Sequence, residues 1–431
     1  MARGRGVRLA AGLGAVALAA GVAGCNWVQP RYDAGHTGTN AGETALTAAT
    51  VAGLGEAWSA DGLAAPGAVA VVKGTVVVTE ASAVRAYDAR TGAPRWSHDY
   101  AHGFPPEQWP YGPPHVSAPT VDGDTVRTAV LSVGASAVPT NSISGLDLGT
   151  GAPVAGVPAT VPLEPTGSTL TDGAGSFWGP LNMFTGTAEG VYIYGVSGVA
   201  KADGRTVTAL HNSPGATDVA VGSGIAAYGT PGGGLAAIDA AGQQGCTHVT
   251  TVDVWQCTPL WSAPIPPVVK TPVIRDGVVY ATTGSALYAL TLPATPAGGS
   301  PQPLWAAAVN DGTAPAVTAA GDAYVGSSTS GIGRLEAYAG ADCPYGVNCT
   351  PAWAGTTGGN LTQAPTVAGD VAYAVTADEV FAFRAAGCGA ATCAPLWSAD
   401  LPAAPTAPVT VLGGRLFVPT ATALVAYALP A

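Results

Sequence analysis

Tryptophan recurs at a nearly fixed interval in this chain. Trp261, Trp305, Trp353 and Trp397 lie 44, 48 and 44 residues apart, and Trp58 and Trp96 stand earlier in similar surroundings. Proline precedes five of the six by two residues, at Pro94, Pro259, Pro303, Pro351 and Pro395. A period of that size marks an array in which one small unit is repeated and buries its apolar face only against its neighbours.

Two further landmarks define the unit. A small residue followed by proline opens an apolar run, as in Ala118-Pro119-Thr120-Val121, Thr271-Pro272-Val273-Ile274, Ala314-Pro315-Ala316-Val317, Ala364-Pro365-Thr366-Val367 and Ala407-Pro408-Val409. Glycine follows, then a β-rich run, then an alternating segment around alanine or glycine: Val84-Arg85-Ala86-Tyr87-Asp88, Leu287-Tyr288-Ala289-Leu290, Val380-Phe381-Ala382-Phe383 and Leu424-Val425-Ala426-Tyr427. Short strands joined by glycine turns make an antiparallel meander. Sheets of this kind stacked around an axis leave only short edges. The expectation is all-β: a single eight-bladed β-propeller of four-stranded antiparallel blades, with seven blades as the alternative if blade three is an insertion. The expected blades are 65–96, 118–156, 178–211, 217–261, 271–305, 314–353, 364–397 and 407–429. The orphan strand around Trp58 is expected to complete the last blade and close the ring.

Composition agrees. The chain has 431 residues with 60 Gly and 36 Pro, which interrupt helices, and 48% hydrophobic residues, enough for a large core. The glycines have no period of three, which excludes collagen. A net charge of −11 without Lys/Arg clusters makes a poor nucleic-acid binder. No nucleic-acid partner is expected.

The stretch Ala86-Tyr87-Asp88-Ala89-Arg90-Thr91-Gly92-Ala93-Pro94-Arg95-Trp96 resembles the tryptophan-docking motif of pyrroloquinoline-quinone (PQQ)-type propellers. The resemblance implies that the indole packs over small residues of an adjacent blade. Ala86, Asp88 and Gly92, with Trp58, Trp96, Trp261, Trp305, Trp353 and Trp397, are the expected docking residues. Trp27 and the run Tyr32-Asp33-Ala34-Gly35-His36-Thr37-Gly38 resemble the lead-in of exported propellers of that type. As a family, the quinoprotein dehydrogenases hold PQQ beside Ca²⁺, with adjacent cysteines over one face, a Trp beneath and an Asp as base. This chain has no adjacent cysteines and no matching Glu/Asn/Asp set, so the resemblance carries the fold rather than the activity. No cofactor is expected, with PQQ and Ca²⁺ as the alternative; no metal site is expected.

The N-terminus reads as an address. Arg3, Arg5 and Arg8 precede an apolar run from Leu9 to Gly21, and Val22-Ala23-Gly24-Cys25 resembles a bacterial lipoprotein box. That implies a signal peptide over 1–24, lipidated Cys25 opening a lead-in over 25–54, and a propeller over 55–431. The protein is expected to be exported, anchored to the outer face of the bacterial cell membrane, and monomeric. The other six cysteines share a register: Cys257, Cys349 and Cys393 each lie four residues before a Trp. Six cysteines allow 15 pairings. The register favours the local set Cys246–Cys257, Cys343–Cys349 and Cys388–Cys393, with metal ligation or thiol redox chemistry as the alternative.

Catalytic signatures are scarce. No Gly-x-Ser-x-Gly elbow or Cys-x-x-Cys-His site occurs, and Gly232-Gly233-Gly234 lacks the Lys-Ser/Thr of a phosphate loop. The connection from His98 to His115 holds three of the six histidines. Its His98, His102, Trp109, Tyr111 and His115 are the ligand-binding candidates, against the plainer reading of a Pro-stiffened surface loop. The expected role is a non-catalytic binding or assembly scaffold, resembling the propeller lipoproteins of envelope assembly, with an envelope protein or glycan as partner. The alternatives are a divergent PQQ-dependent oxidoreductase and a cell-wall glycan-binding module.

Overall fold

A computed structural model describes residues 26–100, 115–133, 139–155, 169–185, 191–211 and 216–430, less 232, 251–252, 264, 269, 294–298, 330–331, 344 and 346–347. Eight antiparallel sheets follow one another in the chain. Blade one shows the plan: inner strand Val69–Val72, second strand Thr75–Thr79, third strand Ala83–Asp88 and outer strand Pro94–Asp99. The later blades cover 115–154, 171–211, 220–263, 273–308, 316–356, 366–400 and 410–428. The count is eight. Blade three opens at Thr171 rather than 178, because Thr171–Gly173 forms its inner strand.

The landmarks sit where their chemistry requires. The recurrent proline lies at the start of the inner strand, as Pro119 before Thr120–Asp122 and Pro365 before Thr366–Ala368, where a missing N–H costs no ladder bond. The turn from inner to second strand takes two residues with positive φ in several blades. Lys73-Gly74 (50° and 72°) and Asp276-Gly277 (46° and 79°) are examples. This is the hairpin geometry whose twist matches that of the strands.

Gly55–Asp61 is the outer strand of blade eight. It pairs antiparallel with Ala423–Ala428, Trp58 opposite Ala426 and Ser59 opposite Val425. The ring is thus closed by joining the two ends of the propeller segment.

The core lies between blades. Tyr324, Leu335 and Trp353 of blade six pack with Val367, Phe381 and Phe383 of blade seven, and the other seams repeat the pattern. Some sheets gain strands from outside the four-stranded plan. Cys246–Val249 and Val254–Cys257 form a hairpin from blade four, and its second strand runs parallel to the outer strand of blade three. Thr392–Cys393 from blade seven likewise lies along Trp353–Thr356 of blade six. Bridges join Cys246–Cys257, Cys343–Cys349 and Cys388–Cys393. The Cys343–Cys349 loop also reaches back, through the Cys349 N–H to Ala306 O (2.6 Å) on blade five. Each bridged loop therefore fastens its own blade to the one before.

Candidate functional site: a funnel floored by the lead-in

Residues 27–43 cross one end of the axis and touch every blade in turn. The second or third residue of each inner strand points a backbone group at the axis, where the lead-in pairs with it. The N–H groups of Val71, Val121, Val221, Ile274, Val317 and Val367 donate to the carbonyls of Trp27, Val28, Ala34, Gly35, Thr37 and Gly38, at 2.7–3.0 Å. The Asp172 N–H of blade three donates to the side-chain oxygen of Gln29 (2.7 Å). Blade eight reverses the polarity: Asn40 Nδ2 donates to Val411 O (2.9 Å). Thr39–Asn40 then runs parallel to the inner strand of blade seven, opposite Val367 and Ala368. Eight backbone positions are satisfied by one strap. Leu46, Val51 and Leu54 carry it outward into the core of blades seven and eight, where the closing strand begins.

The strap is held tightly enough to keep unusual backbone. Arg31, Tyr32 and His36 have φ of 61°, 80° and 58° without being glycine. A Cβ on Gly35 would lie 2.2 Å from Ile274 O, so the ring admits only glycine there. The Arg31 guanidinium, buried at the axis, donates to the carbonyls of His36 and Pro315. The Asp33 carboxylate accepts the Thr37 N–H (3.0 Å) and Oγ1 (2.6 Å). His36 is 1% exposed and places Nε2 2.7 Å from Thr171 Oγ1. Burial first, and Arg31 second, push its pKa down to about 3. It is therefore neutral in the folded protein.

Above this floor lies a cavity of about 1030 Å³. Its walls are the starts of the inner strands from all eight blades, with Trp27, Pro30, Arg31 and His36 beneath. The lining is threonine-rich, with Glu80, His115, Asp218, Lys270 and Gln363 as the other polar groups of its walls. Glu80 pairs with Arg85. Asp218 accepts the Thr169 N–H (3.2 Å), and burial raises its pKa to about 6. The funnel is closed at the strap end and ringed at the other by the loops that enter the inner strands.

Of the candidates, His115 lines this funnel, with its backbone paired opposite Leu131. His98 lies next to last on the outer strand of blade one, its ring edge-on to Tyr100 with centroids 4.7 Å apart. His102, Trp109 and Tyr111 fall outside the described residues, as does Cys25. Arg31, His36 and Asp218 were missed as funnel residues. Only the dense mixture of polar and aromatic types in 27–38 hinted at the first two, and nothing local marks Asp218.

The indoles stand at the seams. Trp58, Trp96 and Trp353 donate Nε1–H to Ala89 O (3.2 Å), Leu148 O (2.8 Å) and Ala385 O (3.0 Å) of the next blade. Each ring is covered by a glycine at positive φ, namely Gly92, Gly151 and Gly387, where a Cβ would come within 2.6 Å. Trp397 donates to Leu54 O (3.0 Å), docking on the strap as it enters blade eight. Trp261 and Trp305 are buried in the seams to blades five and six. Asp88 holds the first of these turns, accepting from the Arg90 and Thr91 amides and from Arg95, whose hydrogen bond does most to keep its carboxyl below the usual range.

No protein-family model matches the sequence, and no curated protein matches it. Solved structures do match. A quinohemoprotein alcohol dehydrogenase from Comamonas testosteroni superposes with TM-score 0.61 at 13% identity, covering 94% of this chain and 80% of that one. A europium-containing methanol dehydrogenase gives 0.62 at 13%, covering 94% and 98%. BamB from Moraxella catarrhalis gives 0.54 at 15%, covering 87% and 97%. PQQ held beside Ca²⁺ needs a set of hard oxygen donors. Among the described residues no three His, Cys, Asp or Glu side chains converge to hold a metal, and all six described cysteines are in disulfides. At these identities the likeness establishes the fold alone: the chain is an eight-bladed β-propeller, an architecture it shares with these structures.

Proposed function

We propose that this chain is an exported, lipid-anchored propeller that acts as a non-catalytic scaffold and receives a protein partner at its funnel mouth. The observation that carries this is the blind funnel. The strap seals one end with contacts to all eight blades, so anything that enters must be held at the loop-ringed mouth. A cavity of about 1030 Å³ with threonines, one ionised pair and a high-pKa carboxyl suits reversible polar recognition. The rigid ring would keep that mouth preorganised. The lipoprotein-type N-terminus supports export, and among the described residues no helix is long and apolar enough to cross a membrane.

The test is site-specific photocross-linking in the native host, with the cross-linker at Thr217 or Gln363 in the mouth and at Ala320 on the opposite face as control. The reading expects one protein species captured from the mouth positions and not from the control. Stoichiometric binding of PQQ and Ca²⁺ with dye-linked alcohol oxidation would replace it with the oxidoreductase reading. Capture of cell-wall glycan alone would replace it with the glycan-binding one.

A further inference from the structure

We infer that the face crossed by the strap lies against the lipid bilayer and that the funnel mouth opens away from it. This rests on the reading of Cys25 as the lipidated residue. Cys25 is bonded to Asn26, and Asn26 is already part of the ring: its Oδ1 accepts the Lys73 N–H (3.2 Å) at the inner turn of blade one. Trp27, 2% exposed, then exchanges two backbone hydrogen bonds with Val71, at 2.7 and 2.8 Å. One peptide unit spans about 3.8 Å. The tether therefore has no free length in which the propeller could turn over.

The exit lies on the same side as the inner-to-second turns, because Lys73 is in such a turn and the strap meets Gly369 and Gly414 of two others. The mouth loops are at the opposite ends of the strands. Strands of about six residues set the two faces about 20 Å apart. On the bilayer-facing side Lys73 is paired with Asp124 and Arg275 with Asp276. Orientation is set by where the chain leaves the ring, and a partner must approach the funnel from the aqueous side.

The experiment uses the mature chain beginning at Cys25, with that thiol coupled to a maleimide lipid in phosphatidylcholine vesicles and the remaining cysteines oxidised. A fluorophore is placed through an azido residue at the exposed Ala202 or Ala320 on the strap face, or at the exposed Ser285 or Ala377 on the mouth face. Energy transfer to a rhodamine-labelled lipid is measured. Transfer from the strap-face positions should exceed that from the mouth positions several-fold and should not change when anionic lipid is added. A linker of about 20 Gly/Ser residues inserted after Cys25, with a reach of about 25 Å, should abolish the difference. Equal transfer from both faces without the linker, or greater transfer from the mouth, would overturn the orientation. Mass spectrometry of the native protein decides separately whether Cys25 carries diacylglycerol, so loss of the lipid reading is distinguishable from loss of the geometry.

Discussion

The seam between blades one and two and the seam between blades three and four solve one problem by different means. At the first, Trp96 of the outer strand slides beneath Gly151 and hydrogen-bonds Leu148 O. At the second, blade three offers no outer tryptophan. Val207 lies under Gly242, whose Cβ would come within 2.5 Å of it, and the disulfide hairpin of blade four pairs along the outer strand. The indole of blade three has moved inward to Trp178, which is fully buried over Gly198 and packs with Val219 and Tyr228 of blade four. A ring needs every seam filled, but the filler can be a docked ring, an added strand or a bridge. The seam from blade two to three uses yet another, with Lys201 set between Asp122 (3.1 Å) and Asp172 (2.6 Å).

The largest loss should follow from Trp58→Ala, which empties the closing seam and leaves Gly92 over a void. We expect about 4 kcal/mol in denaturant unfolding, as for other large core truncations. A loss under about 1 kcal/mol would mean that the strand containing Trp58 contributes little to closure. At the hairpin seam, replacing Cys246 and Cys257 with serine should cost about 2–3 kcal/mol through the freed unfolded chain. Amides of 206–208 should then exchange faster, while those around Trp96 should not.

Acid should act on both seam types at once, through the strap. The pKa of His36 is about 3 in the folded protein, below the ordinary value of 6.5. The unfolded chain therefore binds a proton that the folded chain refuses as pH falls below about 6.5, and stability is lost in that direction. The cost is about 2 kcal/mol at pH 5. His36→Gln should flatten this part of the pH profile. Asp218 works with the opposite sign: its raised pKa favours the folded state at low pH, and that contribution fades as pH rises through about 6. Asp218→Asn should therefore gain stability at pH 7.5 and none at pH 4. The smallest effect belongs to the ionic seam, where Lys201→Met should cost no more than about 1 kcal/mol and the cost should shrink in high salt.

The sequence announced the seams better than the axis. Trp96, Gly92 and Pro94 lie within one repeat, so their spacing survives as a period, and the shared register of Cys257, Cys349 and Cys393 did the same for the bridges. Blade three broke the pattern because its indole stands on the second strand, and its opening Thr171-Asp172-Gly173 carries no proline. The strap left no period at all. Its contacts join residues 27–43 to positions from Val71 to Gly414, one blade at a time. His36 belongs to the lead-in run that the sequence marks, but its place on the funnel floor depends on Thr171, 135 residues away. Asp218 likewise looks like any loop acid until the blades surround it.

The most direct measurement of the account is hydrogen exchange on the intact protein, followed by mass spectrometry of a peptide spanning 27–43. If the strap is the common floor of the ring, its amides and those of the inner strands around Val71, Val221 and Val367 will exchange together, at the rate of global unfolding. Full exchange of the strap peptide within seconds, with the blades still protected, would mean that the funnel has no fixed floor.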